Sequence, residues 1–199
     1  VLISMALAQQ LPLFPIQLLW INTVSALTIQ LAFIFEPAEE SLMSRGPRDV
    51  KKGSLGKIDV FEITYASILI AGLGIYLYDR LTGNGTLEPL YASTMTVNII
   101  LFGKIFYLFN VRNSYPAISK HLFENKMAFA IIGILLLLQV AFTYIPFMQE
   151  IFYTRSVDFF YGWMVPTFCG MIVLAVTECD KALRKWYERK HGRAIGMFK

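Results

Sequence analysis

Apolar runs of about 20 residues recur along this chain and constrain its fold more than any other feature of the sequence. An α-helix rises ~1.5 Å per residue, so each run is long enough to cross a hydrocarbon layer of roughly 30 Å. Charged residues make up only 16% of the sequence, against about 25% in an average soluble chain. The sequence therefore predicts an all-α, polytopic transmembrane helical bundle and excludes a soluble globular domain.

The predicted bundle is a single membrane domain, residues 1–199, with five full spans and one partial N-terminal span. The partial span is residues 1–10. Pro12 and Pro15 separate it from the next span, because proline interrupts a helix. The full spans are predicted at residues 15–35, 60–78, 91–109, 127–146 and 158–177.

Lysine and arginine are distributed unevenly between the connections. Fifteen of the 18 lie at 36–58, at 111–126 or in the tail at 178–199, whereas the connections at 79–90 and 147–157 hold one each. Cytoplasmic segments of membrane proteins carry the excess of basic residues. The loops at 36–58 and 111–126 and the C-terminus are therefore predicted to be cytoplasmic. The net charge of +4 reflects this topology, so we expect a lipid bilayer and no nucleic acid as a partner.

The first full span carries a distinctive order of residues. It reads P-x-Q-x-L-W-x-N over residues 15–22, followed by an apolar stretch and then Phe-Glu-Pro at 35–37. This order and spacing resemble the sixth transmembrane helix of the P-type cation-transporting ATPases. The loop EPAEESLMSRGPR at 36–48 resembles the cytoplasmic loop that follows that helix, and residues 91–110 resemble the eighth helix. The resemblance covers nearly the whole chain, from the end of helix five to helix ten.

This resemblance implies the function of a membrane-domain fragment within an ATP-driven cation pump. The chain would support the core helices and form part of the ion pathway. The implied partners are the transported cation and the remaining transmembrane helices and cytoplasmic domains of the parent pump. The implied location is the bacterial plasma membrane.

The hydrolytic machinery of such a pump is not found in these residues. Pumps of this family hydrolyse ATP through an aspartate in a D-K-T-G motif, and neither that motif nor a phosphate-binding loop occurs here. The chain also begins without an initiator methionine or a basic n-region, so we expect a piece of a longer chain rather than a signal peptide. The piece alone is expected to be inactive, with no catalytic or cofactor-binding residues, whereas the parent would use ATP and Mg²⁺.

Asn22 and Ser25 are candidate cation ligands. In calcium-pump-like members the sixth helix supplies an asparagine and, four residues later, an aspartate. Asn22 matches the asparagine, Ser25 stands where a threonine is common, and the acidic position is Ala26. These three residues are expected to share one helical face. Oxygen ligands suit hard cations, but the missing carboxylate argues against a divalent site. The alternative is that both polar groups only make interhelical hydrogen bonds, worth ~1 kcal/mol or less each.

Lys104 lies within the third full span, at a position where calcium pumps can place an acid. Its ammonium could occupy a cation site or act as a built-in counterion, which makes Lys104 a candidate pathway charge. The alternative is that its side chain extends to the headgroups.

The first full span is expected to run continuously. Residues 23–34 contain neither the glycine nor the proline that unwinds this helix in calcium-pump relatives. Such a helix would offer the ion only its side chains.

Two other functions are alternatives to the hypothesis that the chain is part of a cation pump. A structural or regulatory membrane module without transport activity of its own is the alternative, because a chain lacking helix four and most of helix five cannot close an ion cage. A small channel or carrier is disfavoured by the lack of an internal repeat and of paired acids in the spans.

Overall fold

The computed structural model describes residues 12–35, 57–83, 88–111 and 125–191. Every regular element within these ranges is a helix, which confirms the all-α prediction. The helices are α1 (Pro15–Trp20), a π-helical turn (Ile21–Ser25), α2 (Ala26–Ile34), α3 (Lys57–Gly83), α4 (Pro89–Val111), α5 (Lys126–Tyr144), α6 (Pro146–Phe152) and α7 (Phe159–His191).

Five segments are long and apolar enough to cross a membrane, as the sequence predicts. The predicted partial span at 1–10 lies outside the described residues, as does most of the predicted loops at 36–58 and 111–126. The five segments are Pro15–Ile34, Val60–Gly83, Pro89–Val111, Lys126–Tyr144 and Phe159–Tyr187.

The last helix is longer than the sequence pattern indicates. It continues beyond residue 177 to His191, so much of the predicted polar tail is helical. Residues 178–191 are mostly good helix formers and contain no glycine or proline. Their polarity ends the apolar run without ending the helix.

A short helix, α6, occupies part of the predicted connection at 147–157. It begins at Pro146, whose fixed φ and missing N–H suit the first turn of a helix. Ile145 before it is extended, at φ −78° and ψ 122°, which separates α5 from α6.

The helix α4 lies at the centre of the bundle. In an apolar stretch of 18 residues, 72% of α4 is buried, against 11% of α3. It packs against α7 and α3, while α2 packs against α5. Gly170 on α7 allows one of these close approaches, because a Cβ there would collide with the ring of Phe106 on α4. The central position of α4 brings its polar side chains within reach of three other spans.

Candidate ion-pathway site

The first span is continuous but is not a regular α-helix. Its π-helical turn begins directly after Trp20, and the N–H of Ala26 that closes it faces the carbonyl oxygens of Asn22 and Thr23. Three of the five residues in the turn are β-branched, and the Ser25 hydroxyl donates a hydrogen bond to the carbonyl oxygen of Ile21. Side chains of both kinds disfavour a regular helix. π-Helical turns are frequent at functional sites.

Ser25 and Lys104 are brought together across the bundle. The Lys104 Nζ atom donates a hydrogen bond of 3.0 Å to the Ser25 Oγ atom. Ser25 is fully buried and Lys104 is partly buried. Two of the three candidate site residues therefore meet, and the hydroxyl oxygen that was expected to face a cation faces an ammonium.

At this contact the expected role of Ser25 as a cation ligand competes with that of Lys104 as a pathway charge. Two unit charges about 4 Å apart repel each other by roughly 4 kcal/mol at an effective dielectric constant of about 20. A cation bound at the Ser25 Oγ atom would lie at about that distance from the ammonium. Either Lys104 moves away when such a cation binds, or its ammonium takes that cation's place.

Asn22 lies apart from this contact. It is exposed, whereas Ser25 is fully buried and Ala26 is half-buried, so the structure separates Asn22 from Ser25 by burial. A π-helical turn bonds i to i+5 and is wider than an α-helical turn, so residues three apart no longer align. The exposed side of this span also carries Thr23 and Gln30.

A chain of buried side chains, here called the amide relay, was missed by the sequence reasoning. It consists of Trp20, Gln139 and Asn98. The Trp20 Nε1 atom donates to the Gln139 Oε1 atom at 3.1 Å, and the Gln139 Nε2 atom donates to the Asn98 Oδ1 atom at 2.7 Å. The Asn98 Nδ2 atom donates in turn to the carbonyl oxygen of Gly162 at 3.2 Å. The relay joins four spans and fixes the residue that precedes the π-helical turn.

Gln17 fixes the start of the same span. Its Nε2 atom donates to the carbonyl oxygens of Phe152 and Tyr153, at 3.1 and 3.0 Å. Its Oε1 atom accepts from the Ser93 hydroxyl at 2.6 Å and from the backbone N–H of Phe14 at 3.1 Å. Gln17 thus ties the first span to α4 and to the end of α6.

A charged cluster joins α3, α4 and α7 at the other end of the bundle. Arg184 pairs with Glu62, at 3.3 Å between the Nη1 and Oε2 atoms, and with Asp180. The Asn110 Nδ2 atom donates to the Glu178 Oε1 atom at 2.8 Å. An amide or a charged group in a predicted span indicates that the side chain contacts protein and not lipid. The sequence does not show which residue it contacts, and the fold does.

Carboxylates do not gather elsewhere in the part of the chain that the structure describes. No group of three or more His, Cys, Asp or Glu residues is placed there to hold a metal ion. Near the π-helical turn the described residues place the Ser25 hydroxyl and the Asn22 amide, and the Lys104 ammonium lies beside Ser25.

Comparisons with known proteins give consistent matches. Residues 10–183 match the family model described as "Cation transporting ATPase, C-terminus". The chain is 30% identical over 161 residues to the "Probable cation-transporting ATPase F" of Mycobacterium tuberculosis, which covers 79% of this chain and 18% of that relative. It is 26% identical over 156 residues to the "Calcium-transporting ATPase" of Bacillus subtilis, covering 78% of this chain and 18% of the relative. The chain thus spans about a fifth of the length of these curated relatives.

Proposed function

Because this chain belongs to the family of cation-transporting ATPase C-terminal regions, we propose that it forms one wall of the ion pathway in the membrane domain of an ATP-driven cation pump. The resemblance read from residues 15–37 is confirmed by this match. The chain is an integral membrane protein. The proposal adds a role for individual residues of the first span and of α4.

The contact between Lys104 and Ser25 carries this proposal. An ammonium inside a membrane span is costly and usually marks a functional pathway. Here it reaches the first span at the end of the π-helical turn, at a hydrogen-bond distance of 3.0 Å. We assign Lys104 the role of a resident positive charge in the pathway, with Ser25 as its ligand. In this arrangement the ammonium replaces one transported cation.

The exposed polar side of the first span supports the same assignment. Asn22, Thr23 and Gln30 are exposed between apolar residues of a membrane-crossing helix. Amide and hydroxyl groups facing lipid hydrocarbon would be costly. This side would instead face the other core helices of the parent pump, with Asn22 as a cation ligand.

The parts of the parent pump outside this chain would supply the energy. Its cytoplasmic domains would bind ATP and Mg²⁺ and carry the phosphorylated aspartate, so the chain alone would hydrolyse no ATP. The basic segments and the C-terminus would lie on the cytoplasmic side of a bacterial plasma membrane.

The test uses the full-length protein reconstituted in liposomes. Its ATPase activity is measured against Na⁺, K⁺, Mg²⁺, Ca²⁺ and Mn²⁺ for the wild type, Asn22→Ala and Lys104→Ala. We expect one ion to stimulate the wild type and Asn22→Ala to abolish that stimulation. Lys104→Ala should change the ion dependence, because it vacates a position that a cation can then fill. Lys126→Ala, at an exposed position on α5, is the control for loss of a positive charge.

A structural or regulatory module is the alternative, and the dense buried network around α4 favours it. The amide relay and Gln17 join the spans in the way a scaffold requires. Activity that is robust and indifferent to every ion and to both substitutions would establish this alternative and overturn the pathway role.

A further inference from the structure

The membrane-crossing part of α7 is longer than the hydrocarbon layer. Phe159–Tyr187 has 29 residues, which at ~1.5 Å per residue extend about 43 Å. The hydrocarbon core is roughly 30 Å thick, and the bilayer with its headgroups about 40–45 Å. Both ends of this segment therefore reach the depth of the headgroups.

Exposed aromatic residues mark these two depths. Phe159, Phe160 and Tyr161 are exposed at the start of α7, and Trp186 and Tyr187 are exposed near its end. The rise from Tyr161 to Trp186 is about 38 Å. Tryptophan and tyrosine concentrate at both membrane–water interfaces, where the ring is partly apolar and its polar edge meets water. This spacing places Trp186 at an interface.

The polarity of the C-terminal part of α7 is inverted relative to that of a soluble helix. The Arg184 side chain, only 11% exposed, turns inward to Glu62 and Asp180. Leu183 is 65% exposed and Trp186 58%. A helix end in water buries its apolar side and exposes its charges. The outward side of this segment therefore suits contact with the membrane.

One lysine lies beside these outward apolar residues, and a second is exposed within the same two turns of the helix. The Lys190 Nζ atom lies 5.0 Å from the centroid of the Trp186 ring, and Lys185 is exposed. Residues 185–190 hold three basic residues and one acidic residue. Ammonium groups at headgroup depth attract phosphate groups, and their charge favours a lipid of net negative charge.

We propose that this basic-aromatic end, formed by Leu183, Lys185, Trp186 and Lys190, binds anionic phospholipid headgroups. The apolar side chains contact the upper part of the acyl chains, and the two lysines contact the phosphates. The proposal requires that the chain crosses a membrane, and it does not depend on the ion-pathway role of Lys104 or Asn22.

The test measures quenching of Trp186 fluorescence by lipids brominated near the carboxyl end of the acyl chain. The full-length protein is reconstituted in liposomes that contain either brominated phosphatidylglycerol or brominated phosphatidylcholine at the same mole fraction. The Trp186 contribution is the difference between the wild type and Trp186→Phe. A juxtamembrane lysine is worth up to about fivefold in lipid association. We therefore expect phosphatidylglycerol to be preferred over phosphatidylcholine by at least about twofold.

Two variants complete the experiment. Lys185→Gln combined with Lys190→Gln should reduce the preference to about one. Lys126→Gln, an exposed lysine on another helix, should leave it unchanged.

Equal quenching of Trp186 by the two lipids, or a preference that survives the double substitution, overturns the proposal. Quenching of the other tryptophans without any quenching of Trp186 also overturns it, because protein, either another domain or a second copy, would then cover this surface. None of these readouts involves ATP or a transported ion, so the pathway proposal stands or fails separately.

Discussion

Two polar networks join α4 to α7, and they differ in charge according to depth. The amide relay of Trp20, Gln139 and Asn98 is neutral. The charged cluster around Arg184 lies near the start of α3 and near the ends of α4 and α7. A neutral hydrogen-bonded group costs little in a membrane interior, whereas a charge is costly except near water. The difference indicates that depth selects the chemistry of each network.

The networks also differ in how completely they are bonded. In the relay, the Gln139 side chain uses both its oxygen and its nitrogen, and so does the Asn98 side chain. In the charged cluster, the Asn110 Oδ1 atom has no hydrogen-bond partner among the described residues. An unsatisfied group is tolerable close to the headgroups, where water is near, but is expensive in hydrocarbon.

Lys104 is an exception to the pattern in which charged groups lie near the ends of the spans and neutral polar groups lie deeper. On α4 it lies six residues after Asn98 and six before Asn110, so it is about 9 Å along the axis from each network. It is a charge in the part of the span where the other buried polar groups are neutral. This exception is the physical reason to assign it a role in the pathway rather than in the scaffold.

The largest expected effect concerns the charged cluster. Arg184→Gln leaves the Glu62 and Asp180 carboxylates without their guanidinium, and breaking such a buried pair costs roughly 3 kcal/mol of unfolding free energy. Arg155→Gln is the matched control, because the Arg155 and Glu88 side chains are 58% and 59% exposed. That substitution should cost less than about 1 kcal/mol. Both are measured by reversible unfolding of the chain in mixed detergent micelles. Equal losses would show that burial does not set the value of these ion pairs.

A smaller effect is expected from the amide relay. Gln139→Leu keeps the side-chain volume but removes the acceptor of Trp20 and the donor to Asn98, both buried. We expect a loss of about 2 kcal/mol of unfolding free energy, because two buried polar groups lose a partner. Leu137→Ala, at an outward position two residues earlier on α5, should cost less. The same unfolding measurement applies, and a Gln139→Leu variant as stable as the wild type would contradict the relay's structural role.

The sequence predicts the spans well and their polar contacts poorly. Apolar length alone locates five membrane-crossing helices, and the motif at 15–22 identifies the family. The partners of Gln139 and Asn98 lie 119 and 64 residues away along the chain, and no local pattern specifies such pairs. The π-helical turn shifts Asn22 and Ser25 to different faces, which helical periodicity cannot anticipate. The end of α7 was mistaken for a tail because loss of apolar character was taken as the end of the helix.

The smallest effect on stability is expected at Lys104, and the size of any loss distinguishes a structural role from a pathway role. Lys104→Met removes a partly buried charge and replaces it with an apolar chain of similar length. The Ser25 hydroxyl keeps its hydrogen bond to the Ile21 carbonyl oxygen. We therefore expect the unfolding free energy either to rise or to fall, in the latter case by no more than about 1 kcal/mol.

Ser25→Ala is the opposite change: it leaves the ammonium buried and removes one of its acceptors. That variant should cost about 1–2 kcal/mol, and adding Lys104→Met to it should recover most of the loss. Unfolding of both single variants and the double variant in mixed micelles decides the matter. If Lys104→Met alone costs more than about 2 kcal/mol, the ammonium is a structural link between α4 and the first span. If it costs little, the charge is kept at this depth for a purpose other than stability, as a resident cation in the pathway requires.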